Sequence, residues 1–149
     1  MVLNLGSGKN LIEGAINLDK NPETKAEIIW DLNLLPIPLA DNRFDYITAR
    51  HILEHLQNVV GVMNEIHRIG SNGAGVVIEV PHYANPIYYD DPTHVRPFGD
   101  NTIPLMCDSI QAKIFGIKGK FDLLEHIILG ELWSREKPMV IVAKLRVVK

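Results

Sequence analysis

Cysteine is nearly missing from this chain: Cys107 is the only one in 149 residues. An intrachain disulfide is therefore impossible, and so is a zinc centre held by several thiolates. Long apolar runs are missing too. None approaches the roughly 20 residues of a membrane span, so no membrane association is expected. The opening residues lack a basic segment followed by an apolar one, so no secretory leader is expected. An excess of positive charge is also lacking, with 15 basic residues against 18 acidic ones and a net charge of −3. Lys113, Lys118 and Lys120 come nearest to a basic patch. A protein that grips a nucleic-acid backbone needs a basic stripe that displaces counterions, so nucleic acid is not an expected partner. Repeats and low-complexity segments do not occur. What remains, 46% apolar and 22% charged residues, is an ordinary globular balance. The length fits a single domain over residues 1–149. The simplest expectation is a soluble, cytoplasmic protein.

Hydrophobic patterning predicts strands alternating with helices, the signature of an α/β fold with a mainly parallel sheet. Strands are expected over residues 2–5, 15–18, 28–30, 45–49, 75–80, 121–129 and 139–148. Val59, Val62, Met63, Ile66 and Ile69 recur at helical spacing, with Ser71, Asn72 and Gly73 as a stop. Ile103, Met106, Cys107, Ile110 and Ile114 form a second apolar stripe, with Pro104 in its first turn. Cys107 is expected in the core of that stripe. A short helical piece is expected over residues 51–56. Residues 80–100 hold four prolines and no period, so a long loop is expected there. Loops of that length inside a compact domain are often functional.

The chemistry-bearing residues begin at the end of the first strand. Gly6, Ser7 and Gly8 let the backbone turn sharply and approach a ligand with no Cβ in the way. The next two strands end in Asp19 and Asp31. In an open parallel sheet, ligands sit beyond the carboxyl ends of the strands, so these residues should meet on one rim. A carboxylate there suits a ribose diol, and another can accept from an exocyclic amine. The alternative for either aspartate is a local Asx turn. A dinucleotide fingerprint fits poorly. Its third glycine would fall at Leu11, and Asp19 follows Gly6 by only 13 residues where about 20 are usual. A nucleoside without phosphates fits better.

Residues 3–98 resemble the class I S-adenosylmethionine-dependent methyltransferases, in particular the small-molecule, type 11-like branch. The resemblance lies in an ordered set of segments. They are Leu3-Asn4-Leu5-Gly6-Ser7-Gly8, Gly14-Ala15-Ile16-Asn17-Leu18-Asp19, Asp31-Leu32 with Leu35-Pro36, and Phe44-Asp45-Tyr46-Ile47. His51-Ile52-Leu53-Glu54-His55-Leu56, Asn64-Glu65-Ile66-His67-Arg68-Ile69, residues 73–80 and Asp91-Pro92-Thr93-His94 follow. The resemblance implies a three-layer, Rossmann-like fold with a seven-stranded, mostly parallel sheet of order 3-2-1-4-5-7-6. The first strand is expected at Val2 with no lid helix before it, and the helices of the first two crossovers should be shortened.

The resemblance also implies S-adenosylmethionine as cofactor and methyl transfer to a small-molecule acceptor. Gly6, Ser7 and Gly8 would pass the amino-acid part of the cofactor and Asp19 would hold the ribose. Asp31 and Leu32 would meet the adenine, with Arg50 and His51 near the methionine end. The trimmed first half implies that the 80–100 loop, or a second copy of the chain in a homo-oligomer, covers the site.

For a base near neutral pH, histidine is the natural choice. His51, His55, His82 and His94 fall near the rim, with His94 and His51 as the assigned candidates. His94 lies close to Asp91 and Arg96, which either orient its imidazole or simply pin the loop as an ion pair. Tyr83, Tyr88 and Tyr89 either line an acceptor pocket or pack the loop down. Two other readings stand beside methyl transfer. One is a non-catalytic or partner-dependent nucleoside-binding module. The other is a zinc hydrolase using His51, Glu54 and His55, an inverted zinc-protease pattern completed by Glu65, His94 or His82. Short motifs recur by chance, and no resident metal is assigned. His67 and His126 read as structural or surface residues.

Overall fold

A computed structural model describes residues 1–149. Seven strands form one sheet: β1 Val2–Leu5, β2 Ile16–Asp19, β3 Ile28–Ile29, β4 Phe44–Arg50, β5 Gly70–Pro81, β6 Lys120–Leu129 and β7 Val140–Val148. Their order is β3-β2-β1-β4-β5-β7-β6. The strands from β3 through β5 pair in parallel, and β7 runs antiparallel to both β5 and β6. This is the order the family resemblance implies, and the mainly parallel sheet the patterning predicts.

Register brings the strand ends together. Leu5 pairs with Leu18 and Ala49, and Asp19 pairs with Ile29. The glycine turn, Asp19 and the segment after β3 therefore leave the sheet at one rim.

The helices depart from expectation in the first half. No α-helix links β1 to β2, and only a single 3-10 turn, Pro22–Thr24, lies between β2 and β3. Crossovers that carry a helix usually need a dozen or more residues, and residues 6–15 are too few. Side chains fix this link instead. Asn4 Nδ2 donates to Asn10 O and to Asn17 Oδ1. Asn17 also bonds both backbone groups of Ile12, and its own N–H and amide donate to Glu27 Oε2. A buried asparagine pair thus holds a short strap where a helix would otherwise pack.

Helix α1, Val59–Ile69, forms as its period predicts. Asn58 caps it by accepting from Gly61 N at 2.8 Å, which satisfies one of the unpaired N–H groups of the first turn. Val59, Val62, Met63, Ile66 and Ile69 are all buried, within one cluster that also holds Phe44, Phe98 and the inner faces of β4, β5 and β7. Each such side chain contributes roughly 1.5–3 kcal/mol by leaving water.

The second stripe is not one helix. It breaks into α2, Thr102–Cys107, and α3, Gln111–Phe115. Asp108 Oδ1 accepts from Ile110 N and Gln111 N and starts a new helix in mid-stripe. Ile110 and Ile114 end up 67% and 69% exposed, so the stripe is not a core face along its whole length. Cys107 is only partly buried, packed against the core cluster. No helix is long and apolar enough to cross a membrane.

Candidate active site

Gly6 adopts φ +63° and Gly8 φ +51°, a left-handed turn that ends β1. Such values cost a residue with a Cβ about 1–2 kcal/mol. At Gly6 the crowding is worse, because an added Cβ would lie 2.4 Å from Ile52 Cγ1. At Gly8 an added Cβ would meet nothing within 4 Å, so its backbone faces open space. Gly6→Ala is therefore expected to destabilise by about 2 kcal/mol or more. In a chain of this size that lowers the melting temperature by roughly 4–8 °C. Gly8→Ala should cost about half as much; equal losses in thermal melts would mean that Ile52 does not brace the turn.

The turn is tied to the end of β2. Gly8 N donates to Asp19 Oδ2 at 2.8 Å, and Asn21 N donates to Asp19 Oδ1 at 2.9 Å. One carboxylate thus fixes two backbone segments and still keeps lone pairs for a ligand. Asp31 is arranged differently. Its Oδ1 accepts from the backbone and side-chain amides of Asn33, at 2.9 and 3.1 Å, which leaves Oδ2 free. Both aspartates therefore make the local turns weighed as the alternative, and both remain at the rim.

A cleft of about 330 Å³ opens there, within the size range of small-ligand sites. Gly6, Gly8, Asp19, Asp31, Leu32 and His51 all line it. Ser7 does not; it is buried beneath the turn. Arg50 does not either, being 60% exposed with its Nε 3.9 Å from Glu79 Oε2. Trp30, Asn33, His55 and Thr93 also line the cleft. Of these, the sequence marks His55 and Thr93 within quoted segments and leaves Trp30 and Asn33 unmarked. Their signal in the sequence is adjacency: Trp30 precedes Asp31 and Asn33 follows Leu32.

The 51–56 segment is not a helix. Only Leu53–His55 forms a 3-10 turn, and His51 sits before it with φ +51°. His51 and His55 therefore do not share a helical face, as the inverted zinc-protease pattern requires. His51 Nε2 lies 3.0 Å from Glu79 Oε1, and its Nδ1 lies 3.5 Å from Glu54 Oε1. The Glu54 carboxylate, and less so Glu79, hold the His51 imidazole above its ordinary pKa against the opposing pull of burial. That favours a charged bridge between two acids over a proton acceptor.

His94 stands behind His55 and does not line the cleft; its side chain is 11% exposed. The ring stacks on Tyr88 and meets His55 edge-on, each at 4.6 Å between centroids. The Asp91–Arg96 ion pair does not form. Asp91 Oδ1 accepts from the backbone and hydroxyl of Thr93, while Arg96 donates to the carbonyls of Leu56 and Gln57. His82 is a buried anchor. Its Nδ1 accepts from Ala84 N, and Nε2 donates to Asp100 Oδ1. Tyr83, Tyr88 and Tyr89 do not line the cleft. Tyr89 donates to Tyr83 O and stacks on Trp133, so the tyrosines pack the loop.

Residues 8–78 match the family model described as a methyltransferase domain. No curated protein matches the sequence. Among solved structures, a chain of the complex between the Haloferax volcanii Trm112 methyltransferase activator and a methyltransferase superposes with a TM-score of 0.73 at 12% identity. The match covers 99% of this chain and 82% of that one. A SAM-dependent methyltransferase from Archaeoglobus fulgidus superposes with a TM-score of 0.66 at 18% identity, covering 97% of this chain and 85% of that one. The [4+2]-cyclase SpnF also superposes, with a TM-score of 0.69 at 12% identity over 99% of this chain and 74% of that one. The likeness at these identities is one of fold, and the cyclase illustrates that a shared fold does not by itself choose the reaction.

Proposed function

We propose that this chain is a class I S-adenosylmethionine-dependent methyltransferase, which binds S-adenosylmethionine in the cleft at Gly6 and Gly8 and methylates a small-molecule acceptor; the methyltransferase-domain match over residues 8–78 supports that reading. The observation that carries this reading is the convergence of two glycines and two aspartates on one cleft. The donor set suits that cofactor. Two carboxylates flank the cleft, Lys20 is its only lysine, and no arginine lines it. Such a wall favours hydroxyl and amine donors over phosphates. The open space over Gly8 leaves room for a ligand to lie against the backbone.

S-adenosylmethionine, when bound, supplies a methyl group on a sulfonium that leaves readily. The chain's part is to hold and orient. Asp19 accepts from the ribose hydroxyls while its bonds to Gly8 and Asn21 keep it in place. The free Oδ2 of Asp31 accepts from the base amine, with Leu32 as an apolar wall. His55 and Thr93 reach the cleft from the side of the long loop and mark where the acceptor enters. Much of the rate enhancement then comes from alignment of the reacting groups. His51, clamped between Glu54 and Glu79, acts here as a positioning residue for the methionine end.

Titration calorimetry with S-adenosylhomocysteine tests the reading directly. One site per chain is expected, along with an adenosyl compound in the native mass spectrum of freshly purified protein. A folded chain that gives no heat at millimolar ligand would overturn it.

A second reading has one supporting observation. Strand β6 is an open sheet edge with Leu124, Leu129 and, just beyond it, Trp133 more than half exposed. On this reading a second chain covers that edge before turnover begins. Turnover per chain should then rise with protein concentration, and concentration-independent turnover would exclude it.

A further inference from the structure

We propose that Glu54, His55 and His94 form a binding site for a single divalent transition-metal cation beside the cleft. One ligating atom from each of the three residues lies within 4.8 Å of the other two. The set joins the 3-10 turn after β4 to the long loop, residues 40 positions apart that the fold brings together.

The hydrogen bonds around the histidines fix their tautomers. His94 Nδ1 lies 2.7 Å from Tyr88 O, and a carbonyl can only accept, so Nδ1 carries the proton. Thr93 gives its one hydroxyl proton to Asp91 Oδ1 at 2.6 Å. The same hydroxyl oxygen must then accept from His55 Nδ1, 2.8 Å away. In the neutral tautomer that these bonds select, each imidazole keeps its Nε2 lone pair for a ligand. This is the arrangement of metal-bound histidine, in which the second ring nitrogen donates to a carbonyl or carboxylate-linked partner and so sets the ring's orientation.

Glu54 supplies the third and independent observation. Its side chain is 1% exposed, and Oε2 is buried with no hydrogen-bond partner. A buried carboxylate oxygen left unpaired costs about 1–3 kcal/mol or more, and a cation would satisfy it. Asp91 Oδ2, 3.8 Å from His94 Nε2, adds negative charge next to the site.

Two imidazoles and one carboxylate suit zinc or ferrous iron better than magnesium or calcium, which prefer all-oxygen shells. Three protein ligands leave at least one coordination position for water or for an oxygen of the acceptor. His55 and Thr93 both line the cleft, so the site adjoins that cleft. The site stands on its own geometry and does not depend on methyl transfer.

The test is titration of the metal-stripped, full-length chain with Zn²⁺, paired with visible spectroscopy of the Co²⁺ form. One cation per chain is expected, with ligand-field bands of a nitrogen–oxygen site. His94→Ala and Glu54→Gln should each weaken binding by at least 100-fold. Thr93→Val, which only releases His55, should weaken it by about 10-fold. Circular dichroism confirms that each variant is folded, and His94→Gln replaces His94→Ala if the latter is not. Two results overturn the proposal. One is absence of stoichiometric binding at micromolar Zn²⁺ by the folded wild type. The other is a loss in His51→Ala as large as in His94→Ala, which would move the site to the His51 side. S-adenosylhomocysteine titrations of the same variants keep this outcome separate from the methyl-donor reading, because Asp19→Ala should spare the cation.

Discussion

Asp19→Ala is expected to weaken S-adenosylhomocysteine binding by about 100-fold. Hydrogen bonds to a charged group contribute about 1.5–3 kcal/mol, and each 1.4 kcal/mol is about one decade of affinity. Two effects add in the same direction. The variant removes the proposed acceptor for the ribose diol, and it frees Gly8 N and Asn21 N, which Asp19 holds at 2.8 and 2.9 Å. The glycine turn would then have to be ordered by the ligand itself. Asp19→Asn separates the two effects. It keeps one acceptor oxygen, so it should retain part of the turn's order and lose about 10-fold. Asp31→Ala should lose less than Asp19→Ala, since the Asp31 carboxylate orders only the turn at Asn33 and leaves the glycine turn intact. Calorimetry on the three folded variants gives the ranking. Unchanged affinity in Asp19→Ala would place the nucleoside elsewhere.

The resemblance carried the strand order, while the strands themselves and the rim were legible in the residues for a simple reason. Buried parallel strands read as short apolar runs, and the strands expected over residues 2–5, 15–18 and 28–30 each stop at a glycine or an aspartate that suits a turn. Gly6, Gly8, Asp19 and Asp31 announce their place by following Leu5, Leu18 and Trp30. What could not be read locally was set by side chains that reach across the fold. Asp108 caps a new helix inside an unbroken apolar stripe, so the spacing of Ile103, Met106, Ile110 and Ile114 overstated one helix. His51, Glu54 and His55 have helical spacing, yet the positive φ at His51 and its bonds to Glu79 turn the chain away. The pairing of His55 with His94 depends on how a proline-rich loop returns to the rim, and no local period encodes that. Asn4 and Asn17 carry no local signal of their role, whereas in the fold they hold the strap that stands where a helix would pack.

Arg68→Ala is expected to cost about 3 kcal/mol, a drop of roughly 6–12 °C in melting temperature. Its guanidinium ties helix α1 to residues 37–41. It donates to Glu65 through both Nε and Nη2, to the carbonyls of Ile37 and Leu39, and to Asp41. Glu65 Oε2 in turn accepts from Ile37 N at 2.7 Å. Removing the guanidinium leaves a largely buried carboxylate without its counter-charge and the Leu39 carbonyl without its donor, while Ile37 O keeps the Leu39 N–H, which is why the loss should exceed that of a surface pair. Arg68 holds the Glu65 carboxyl below its ordinary value of 4.5, helped by the Ile37 amide and opposed by burial. The unfolded chain therefore takes up this proton at higher pH than the folded chain does. The Glu65 contribution is fully present above about pH 4.5 and is lost as the pH falls through the lowered folded value. The stability gap between the wild type and Glu65→Gln should accordingly narrow from pH 6 to pH 3 in thermal melts; a constant gap would mean that Glu65 is not ionised in the fold. The same bonds reach the site, because the segment they pin at Ile37 and Leu39 continues directly from Asp31 and Leu32. Arg68→Ala should thus also reduce nucleoside affinity, although Arg68 does not line the cleft.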